Sequence, residues 1–300
     1  MTTTASTGGA SGKAASARAP SPRPASTKVR ASGATTTAVP LGPRTALALL
    51  LATVAGAFAF AWPLVLSPGS GLEHSADAPL VLAGVLVAVL VVVLIALSEG
   101  GLDVKAVALL GLLSAVGAVL RPLSAGTAGV ELVFVVIVLG GRVLGPGFGF
   151  ALGSTTIFAS ALLTGGVGPW MPFQMLAASW VGLGAGLLPR HVRGRGEPFL
   201  VALYGALAAF GFGLAMNLSF WPFQLGGATQ LSFVAGDAVA SNLHRFWVYS
   251  LATSLGWDVG RAVTTAAALL LLGRPALAAL RRTATRAAFA PRRDREVPGT

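Results

Sequence analysis

The stretch that decides the fold is Gly140-Gly141-Arg142-Val143-Leu144-Gly145-Pro146-Gly147-Phe148-Gly149. It lies inside an almost continuous apolar run from Val130 to Leu188 and interrupts that run with glycine and proline. A soluble core does not contain so long an apolar run, and a single membrane anchor has no need of such a turn. The pattern predicts several membrane-spanning segments joined by tight turns.

The composition supports a membrane protein whose spans are helices. The chain is 54% hydrophobic and only 10% charged, whereas soluble domains carry about 25% charged residues. Apolar residues come in blocks and do not alternate with polar ones, which favours helices over a β-barrel. Cysteine is absent and the histidines (His74, His191 and His244) are far apart, so we expect neither a disulfide nor a metal or other cofactor. We therefore predict an all-α polytopic membrane protein.

Apolar runs and composition changes divide the chain into four parts. Residues 1–44 are predicted to be a disordered basic tail, and residues 45–98 to hold two leading transmembrane helices that look plainly lipid-facing. Residues 104–273 form a predicted six-helix core, and residues 274–300 form a second basic tail. The leading helices are predicted at Thr45–Leu66 and Leu80–Leu97, and the core helices at Ala106–Leu120, Val130–Leu139 (extending to Leu144), Gly147–Leu163, Met171–Leu188, Phe199–Asn217 and Ser250–Leu272.

The basic residues fit these eight crossings when both termini are cytoplasmic. With that orientation, 18 of the 21 Lys and Arg residues fall inside and Arg121, Arg245 and Arg261 fall outside, which is the bias that plasma-membrane proteins show. The net charge of +11 is thereby explained by cytoplasmic flanks. Nucleic-acid binding is disfavoured because aromatic residues do not alternate with the basic ones.

Small residues recur at four-residue spacing in several core helices, where they allow a neighbouring helix to approach closely. For most of these pairs, packing inside the bundle is the simpler explanation. The face on the first core helix is also a candidate docking site for a partner membrane protein. The pairs are Gly111/Ala115, Ser114/Ala118, Gly147/Ala151, Gly149/Gly153, Gly182/Gly186 and Gly256/Gly260.

Uncommon polar and aromatic residues collect on the predicted outer side, in the segments Arg121–Val130, Gly165–Pro172 and Ser219–Trp247 and in the outer half of the last helix. Such residues suit a small ligand with flat, polar parts. Simpler explanations are an interfacial tryptophan belt, a solvated connection for the long segment, and a structural Asp258–Arg261 ion pair. The predicted ligand-binding residues are Arg121, Glu131, Trp170, Gln174, Asn217, Trp221, Gln224, Asp237, Asn242, Arg245, Trp257, Asp258 and Arg261.

No catalytic set emerges from the sequence. Ser154 has no evident histidine at membrane depth, and paired histidine and carboxylate ligands for metal hydrolysis are missing. The phosphate-binding Gly-x-x-x-x-Gly-Lys-[Ser/Thr] loop is also missing, so the chain is not expected to hydrolyse ATP. We predict a protein without catalytic activity of its own.

The core resembles a known family of transport proteins. Arg121-Pro122, Glu131-Leu132-Val133-Phe134 and the glycine-rich turn at residues 140–149 resemble the substrate-binding (S) component of energy-coupling factor (ECF) transporters. The run Leu162-Leu163-Thr164-Gly165-Gly166-Val167-Gly168-Pro169-Trp170-Met171-Pro172-Phe173-Gln174-Met175-Leu176 is similar to the form found in high-GC Gram-positive bacteria. The likeness covers about Val104 to Gly273, and the two leading helices depart from the family's six-helix minimum.

This resemblance implies an ABC-type uptake system in which the chain captures a vitamin or related micronutrient at the outer face. The partners would be a membrane scaffold protein and two ATPases, with the scaffold meeting Gly111, Ser114, Ala115 and Ala118. A corrinoid such as cobalamin is one expected ligand, because the long outer segment is rich in amides, and a smaller vitamin or its precursor is the other. The alternative function is a structural or assembly membrane protein that has no transport ligand.

Overall fold

A computed structural model describes residues 1–6, 8–9, 41–65, 104–124, 129–224 and 229–287, with isolated positions between 83 and 95. The chain divides into two compact units, Met1–Ala34 and Thr35–Thr300. In the first unit, the described residues are exposed and carry no helix. The predicted disordered tail therefore lies largely outside the described residues, as do residues 288–300. Part of the predicted helix at Leu80–Leu97 is described, and its described positions are helical.

The second unit is built from helices, and the described residues contain no strand, which confirms the all-α prediction. Five helices are long and apolar enough to cross a membrane. The protein is thus a multi-pass membrane protein, while the total of eight crossings stays a prediction. The helices are α1 (Pro43–Phe60), α2 (Trp62–Val65), α3 (Val104–Ser124), α4 (Val133–Leu144), α5 (Pro146–Thr164), α6 (Met171–Leu187), α7 (Glu197–Gln224), α8 (Val239–Thr253) and α9 (Leu255–Ala287).

The glycine-rich stretch turns the chain between α4 and α5 within one residue. Gly145 separates the two helices with φ 102° and ψ 169°, a conformation that side-chain-bearing residues rarely adopt. Pro146 then opens α5, where its fixed φ suits the first turn and its missing N–H is not needed. The sequence therefore forces two antiparallel neighbours here, as predicted.

Helices α5 and α6 pack backbone against backbone through glycine. A Cβ atom built on Gly149 would collide with the carbonyl oxygen of Gly182, and one built on Gly182 would collide with that of Gly149. Gly153 lies equally close to the carbonyl of Ala178. The four-residue spacing read from the sequence thus serves helix packing in these two helices. By contrast, an added Cβ at Gly256 would meet no atom within 4 Å.

Helix α8 corrects the prediction of a plain connection over Ser219–Trp247. A 15-residue helix begins within this connection and continues past Trp247 to Thr253, and its buried residues on one side are Asn242, Phe246, Tyr249 and Ser250. These positions follow the helical period, yet the segment's polar residues suggested a loop. The helix predicted over Ser250–Leu272 is also corrected, because the chain breaks at Ser254 before α9 begins.

Helix α1 is not plainly lipid-facing, because one of its faces is buried against the bundle. An added Cβ at Gly56 would collide with the side chain of Leu176, and it would lie 2.8 Å from the ring of Trp180. The ring of Phe60 contacts Phe173 edge-on at a centroid distance of 5.3 Å. The leading helix is therefore packed into the same hydrophobic core as α6.

Among the described residues, the antiparallel helices place most Lys and Arg side chains at one end of the bundle. We call this the basic end (Lys105, Arg142, Arg190, Arg193, Arg195, Arg274, Arg281 and Arg282). Here Glu197, which is only 2% exposed, accepts from Arg142 Nε at 2.8 Å and from Arg281 Nη2 at 2.6 Å. Arg142 also donates to the carbonyl oxygens of Leu188 and Val192, at 2.9 and 2.8 Å. A single arginine thus ties α4 to the start of α7 and to the connection before it.

Candidate functional site

The opposite end of the bundle contains a cavity of about 400 Å³. It is formed where the ends of α3, α5 and α9 meet the approaches to α4 and α6. Half of its lining consists of residues that the sequence predicted as ligand-binding. These residues are Arg121, Glu131, Trp170, Gln174, Trp257 and Arg261.

The helix ends explain why these side chains converge. Arg121 lies in the last turn of α3, just before Pro122, and Trp170 immediately precedes α6. Glu131 is held against α9, since its backbone N–H donates to Thr264 Oγ1 at 3.4 Å. Because antiparallel helices alternate their ends, residues distant in sequence line one cavity.

Three charged side chains line the cavity, and their contacts are specific. Glu131 Oε2 accepts from Arg261 Nε at 2.6 Å, and Arg261 Nη1 donates to the buried Asp258 at 2.8 Å. The second carboxylate oxygen of Glu131 lies 4.0 Å from Arg121 Nε. Arg121 also donates to Gln174 Oε1 at 3.0 Å and to Ser160 Oγ at 3.5 Å. The Asp258–Arg261 pair, which the sequence left open, is present in the structure, whereas the link from Arg261 to Glu131 was not foreseen.

The sequence analysis did not single out the other six lining residues, although four of them lie in its predicted outer segments Arg121–Val130 and Gly165–Pro172. Ser160 and Thr164 contribute hydroxyls from the last turns of α5, and hydroxyls in an apolar helix are usually explained by bonds to their own backbone. Gly129 has φ +77°, and a Cβ there would collide with the carbonyl oxygen of Trp257. The remaining three positions are Pro122, Val130 and Gly166.

Trp221 lies away from the cavity in an aromatic cluster. Its ring is fully buried against Phe233, Phe246 and Tyr249. Its Nε1 donates to the carbonyl oxygen of Leu231 at 2.8 Å. These contacts fix α8 and the segment before it onto the end of α7.

Three more predicted residues bind each other beside α8. Asn242 holds both backbone groups of Val234, accepting from its N–H at 3.1 Å and donating to its carbonyl at 2.8 Å. Arg245 Nη1 donates to Asp237 Oδ2 at 2.7 Å and to Asn242 Oδ1 at 3.1 Å. The hydrogen bond from Arg245 lowers the pKa of the exposed Asp237 carboxyl. This arrangement clamps the turn before α8.

The last three predicted residues also lie outside the cavity lining. Asp258 is buried and accepts a hydrogen bond from Nη1 of Arg261. Asn217 lies in α7, and its Nδ2 has no hydrogen-bond partner among the described residues. Gln224 ends α7, and its side chain lies outside the described part of the chain.

The four predicted docking residues fall on two different faces of α3. Ser114 and Ala118 are buried, and Ser114 Oγ lies 2.7 Å from Thr155 Oγ1 of α5. Gly111 and Ala115 are exposed on the outside of the bundle. An added Cβ at Gly111 would meet no atom within 4 Å. Of these two faces, the described residues leave only the Gly111/Ala115 face exposed.

Comparison with known families decides the classification of the chain. The model of the family "ECF transporter, substrate-specific component" matches residues 105–272, which is more than half of the chain. The chain belongs to this family. No match was found among curated proteins or among solved structures. The protein is thus the substrate-specific subunit (S component) of an ECF transporter, located as a multi-pass protein in the plasma membrane. S components are generally non-catalytic, and the family implies a scaffold protein and ATPases as partners.

Proposed function

We propose that this S component captures a small, vitamin-sized organic molecule in the cavity at the end of the bundle opposite the basic end. The observation that carries the proposal is the convergence of six predicted binding residues on one cavity. Indole rings from Trp170 and Trp257 provide flat contact area, while Gln174 and the hydroxyls of Ser160 and Thr164 provide hydrogen bonds. Concave sites of this mixed character bind small ligands.

The size of the cavity favours the smaller of the two expected ligand types. Its volume of about 400 Å³ lies at the lower end of the roughly 300–1,000 Å³ typical of sites that enclose drug-sized ligands. A corrinoid is much larger than such ligands and would extend beyond the walls. Moreover, part of the amide-rich segment that suggested a corrinoid forms helix α8. The side-chain amide of Asn242 in this helix already makes hydrogen bonds to the backbone of Val234. A small vitamin or vitamin precursor is therefore the proposed substrate.

The basic end is proposed to face the cytoplasm, with both termini on that side. In membrane proteins, Lys and Arg accumulate in short cytoplasmic connections, and α1 begins and α9 ends at the basic end. The cavity then opens to the exterior, from which a nutrient arrives. ATP hydrolysis is assigned to the partner subunits.

The scaffold protein is proposed to dock on the exposed Gly111/Ala115 face of α3. These small residues are open, so a helix of the partner can approach the backbone closely. Ser114 and Ala118, which were predicted to share this role, instead hold α3 against α5. An assembly protein without a ligand would need the same small-residue face, whereas the cavity and the family assignment both favour capture of a substrate.

A tryptophan at position 164 is expected to block the cavity and to weaken ligand binding about tenfold or more, since overfilling a packed site costs about 1–3 kcal/mol. Thr164 lines the cavity and is exposed, so the substitution does not disturb the buried core. Binding is measured on the purified full chain by calorimetry across a panel of water-soluble vitamins and their precursors.

The matched control is Leu163→Trp, because Leu163 is the neighbouring residue, is 60% exposed and does not line the cavity. It should bind as the unmodified chain does. Equal binding by the Thr164→Trp variant, or no binding of any small molecule by the unmodified chain, would contradict the proposed function and favour an assembly role.

A leucine at position 111 is expected to abolish docking while leaving ligand binding unchanged. The added side chain projects into open space outside the bundle, so it keeps a partner helix away from α3 without touching the fold. Co-purification of scaffold and ATPases with the tagged chain should fall at least about tenfold, which corresponds to about 1.4 kcal/mol.

The control for this experiment is Gly211→Leu in α7, where an added Cβ also meets no atom within 4 Å. It makes the same change on another exposed face. If the Gly111→Leu variant co-purifies with the partners as well as Gly211→Leu does, the docking face is not on α3.

A further inference from the structure

The charged side chains of the cavity differ in what they already bind. Both oxygens of Glu131 face arginines, Oε2 at 2.6 Å from Arg261 and Oε1 at 4.0 Å from Arg121. Arg261 holds Asp258 as well as Glu131, and its guanidinium lies over the ring of Phe212 at 5.6 Å. The carboxylates at this site are therefore engaged by Arg261 in short, charge-assisted contacts.

A cationic ligand would have to compete for these carboxylates. At Oε2 it would compete with Arg261, whose guanidinium is 16% exposed, and at Oε1 it would lie beside the guanidinium of Arg121. Removing one partner of a largely buried ion pair is costly because the other charge stays behind in a poorly solvated place. The cavity thus disfavours positively charged molecules.

Binding an anionic ligand at Arg121 costs less free energy than binding a cationic ligand at Glu131. This side chain lines the cavity and donates to the neutral acceptors Gln174 and Ser160, while its Nε lies 4.0 Å from Glu131 Oε1, beyond hydrogen-bond distance. A carboxylate can replace these neutral acceptors and adds the attraction between two opposite charges to the hydrogen bond. The planar guanidinium also matches the two oxygens of a carboxylate.

We propose that the cavity selects a small planar acid whose carboxylate accepts hydrogen bonds from Arg121 while its ring lies against Trp170 and Trp257. This inference rests on the proposed function and adds the chemical class of the substrate. The two indoles are 44% and 48% exposed, so they present surface that a flat ring can cover. Gln174 and Ser160 can donate or accept, and Thr164, which already donates to the carbonyl oxygen of Ser160, can accept. These neutral groups do not select the charge of the ligand, so the arginines do.

The test compares acids with their neutral analogues on the purified full chain. The probes are nicotinate with nicotinamide, biotin with biotinamide, p-aminobenzoate with p-aminobenzamide, and thiamine as a cation. We expect the tightest-binding pair to favour the acid by about 10- to 100-fold, the range for a hydrogen bond to a charged group. An amide that binds as tightly as its acid, or tightest binding by thiamine, overturns the inference while the proposed function stands. Failure of every acid to bind, while another vitamin or precursor of the wider panel binds, overturns this inference alone; failure of the whole panel removes the proposed function as well.

Substitution of Arg121 provides a second readout. Arg121→Gln should weaken binding of the preferred acid by about 10- to 100-fold and leave binding of its amide unchanged, while Arg121→Lys should retain part of the preference. The matched control, Arg282→Gln, changes an exposed arginine at the basic end and should bind as the unmodified chain does. Equal loss of acid and amide binding in Arg121→Gln would show a merely structural role for Arg121 and overturn the inference.

Discussion

A leucine at position 182 is expected to prevent the bundle from folding. The side chain would enter the contact between α5 and α6, where the obstructing atoms are the carbonyl oxygen and backbone of Gly149. Backbone cannot move aside as a rotamer does, so both helices would have to separate. Overpacking commonly costs about 1–3 kcal/mol even when side chains can adjust, and the total stability of a domain is only about 5–15 kcal/mol.

The measurement is the yield and elution profile of the detergent-solubilised chain, together with its thermal unfolding temperature. Gly182→Ala should give an intermediate loss, because it adds only the colliding Cβ. Gly211→Leu, the same change on an open face, should unfold close to the temperature of the unmodified chain. A Gly182→Leu variant that elutes as a single species with unchanged unfolding temperature would refute the close approach of α5 and α6.

Replacing Arg142 with methionine is expected to cost about 3–5 kcal/mol, the range for breaking one side of a buried ion pair. Glu197 would keep Arg281 but lose its contact with Arg142, whose side chain is only 3% exposed. The carbonyl oxygens of Leu188 and Val192 would lose their donor at the same time. We expect the thermal unfolding temperature to fall by roughly 10 °C.

A double-mutant cycle separates the ion pair from the other contacts of Arg142. Glu197→Gln combined with Arg142→Met should lose less stability than the two single changes added together, because the orphaned carboxylate is gone. The control Arg282→Met alters an exposed arginine of the basic end and should change the unfolding temperature little. Strict additivity in the cycle would mean that Arg142 and Glu197 do not stabilise each other.

Sequence reasoning located the core helices because their signal is simple. Each is an apolar block with glycine, proline or charge at its ends, and Gly145-Pro146 separates two of them by local backbone chemistry alone. Helix α8 gave no such signal, since its apolar residues Phe246 and Tyr249 are interspersed with polar ones and become buried only against Trp221. Its position is set by tertiary contacts, which the order of residues does not reveal.

The same distinction applies to the cavity. Arg121, Glu131 and Trp170 could be found because each lies at the end of an apolar helix, and antiparallel helices bring alternate ends together. Asn242 looked equally suitable, and its bonds to Val234 could be known only from the fold. Ser160 was not predicted, because a serine hydroxyl within an apolar helix is usually explained by a hydrogen bond to the backbone of its own helix.

The burial of α1 against α6 has a consequence for how the chain can be shortened. Leu176, Trp180 and Phe173 touch the leading helix through Gly56 and Phe60, so a version trimmed to the family's minimal core would present these side chains to lipid. The extra segment thus works as a built-in neighbour that shields α6, while Gly111 and Ala115 of α3 stay exposed.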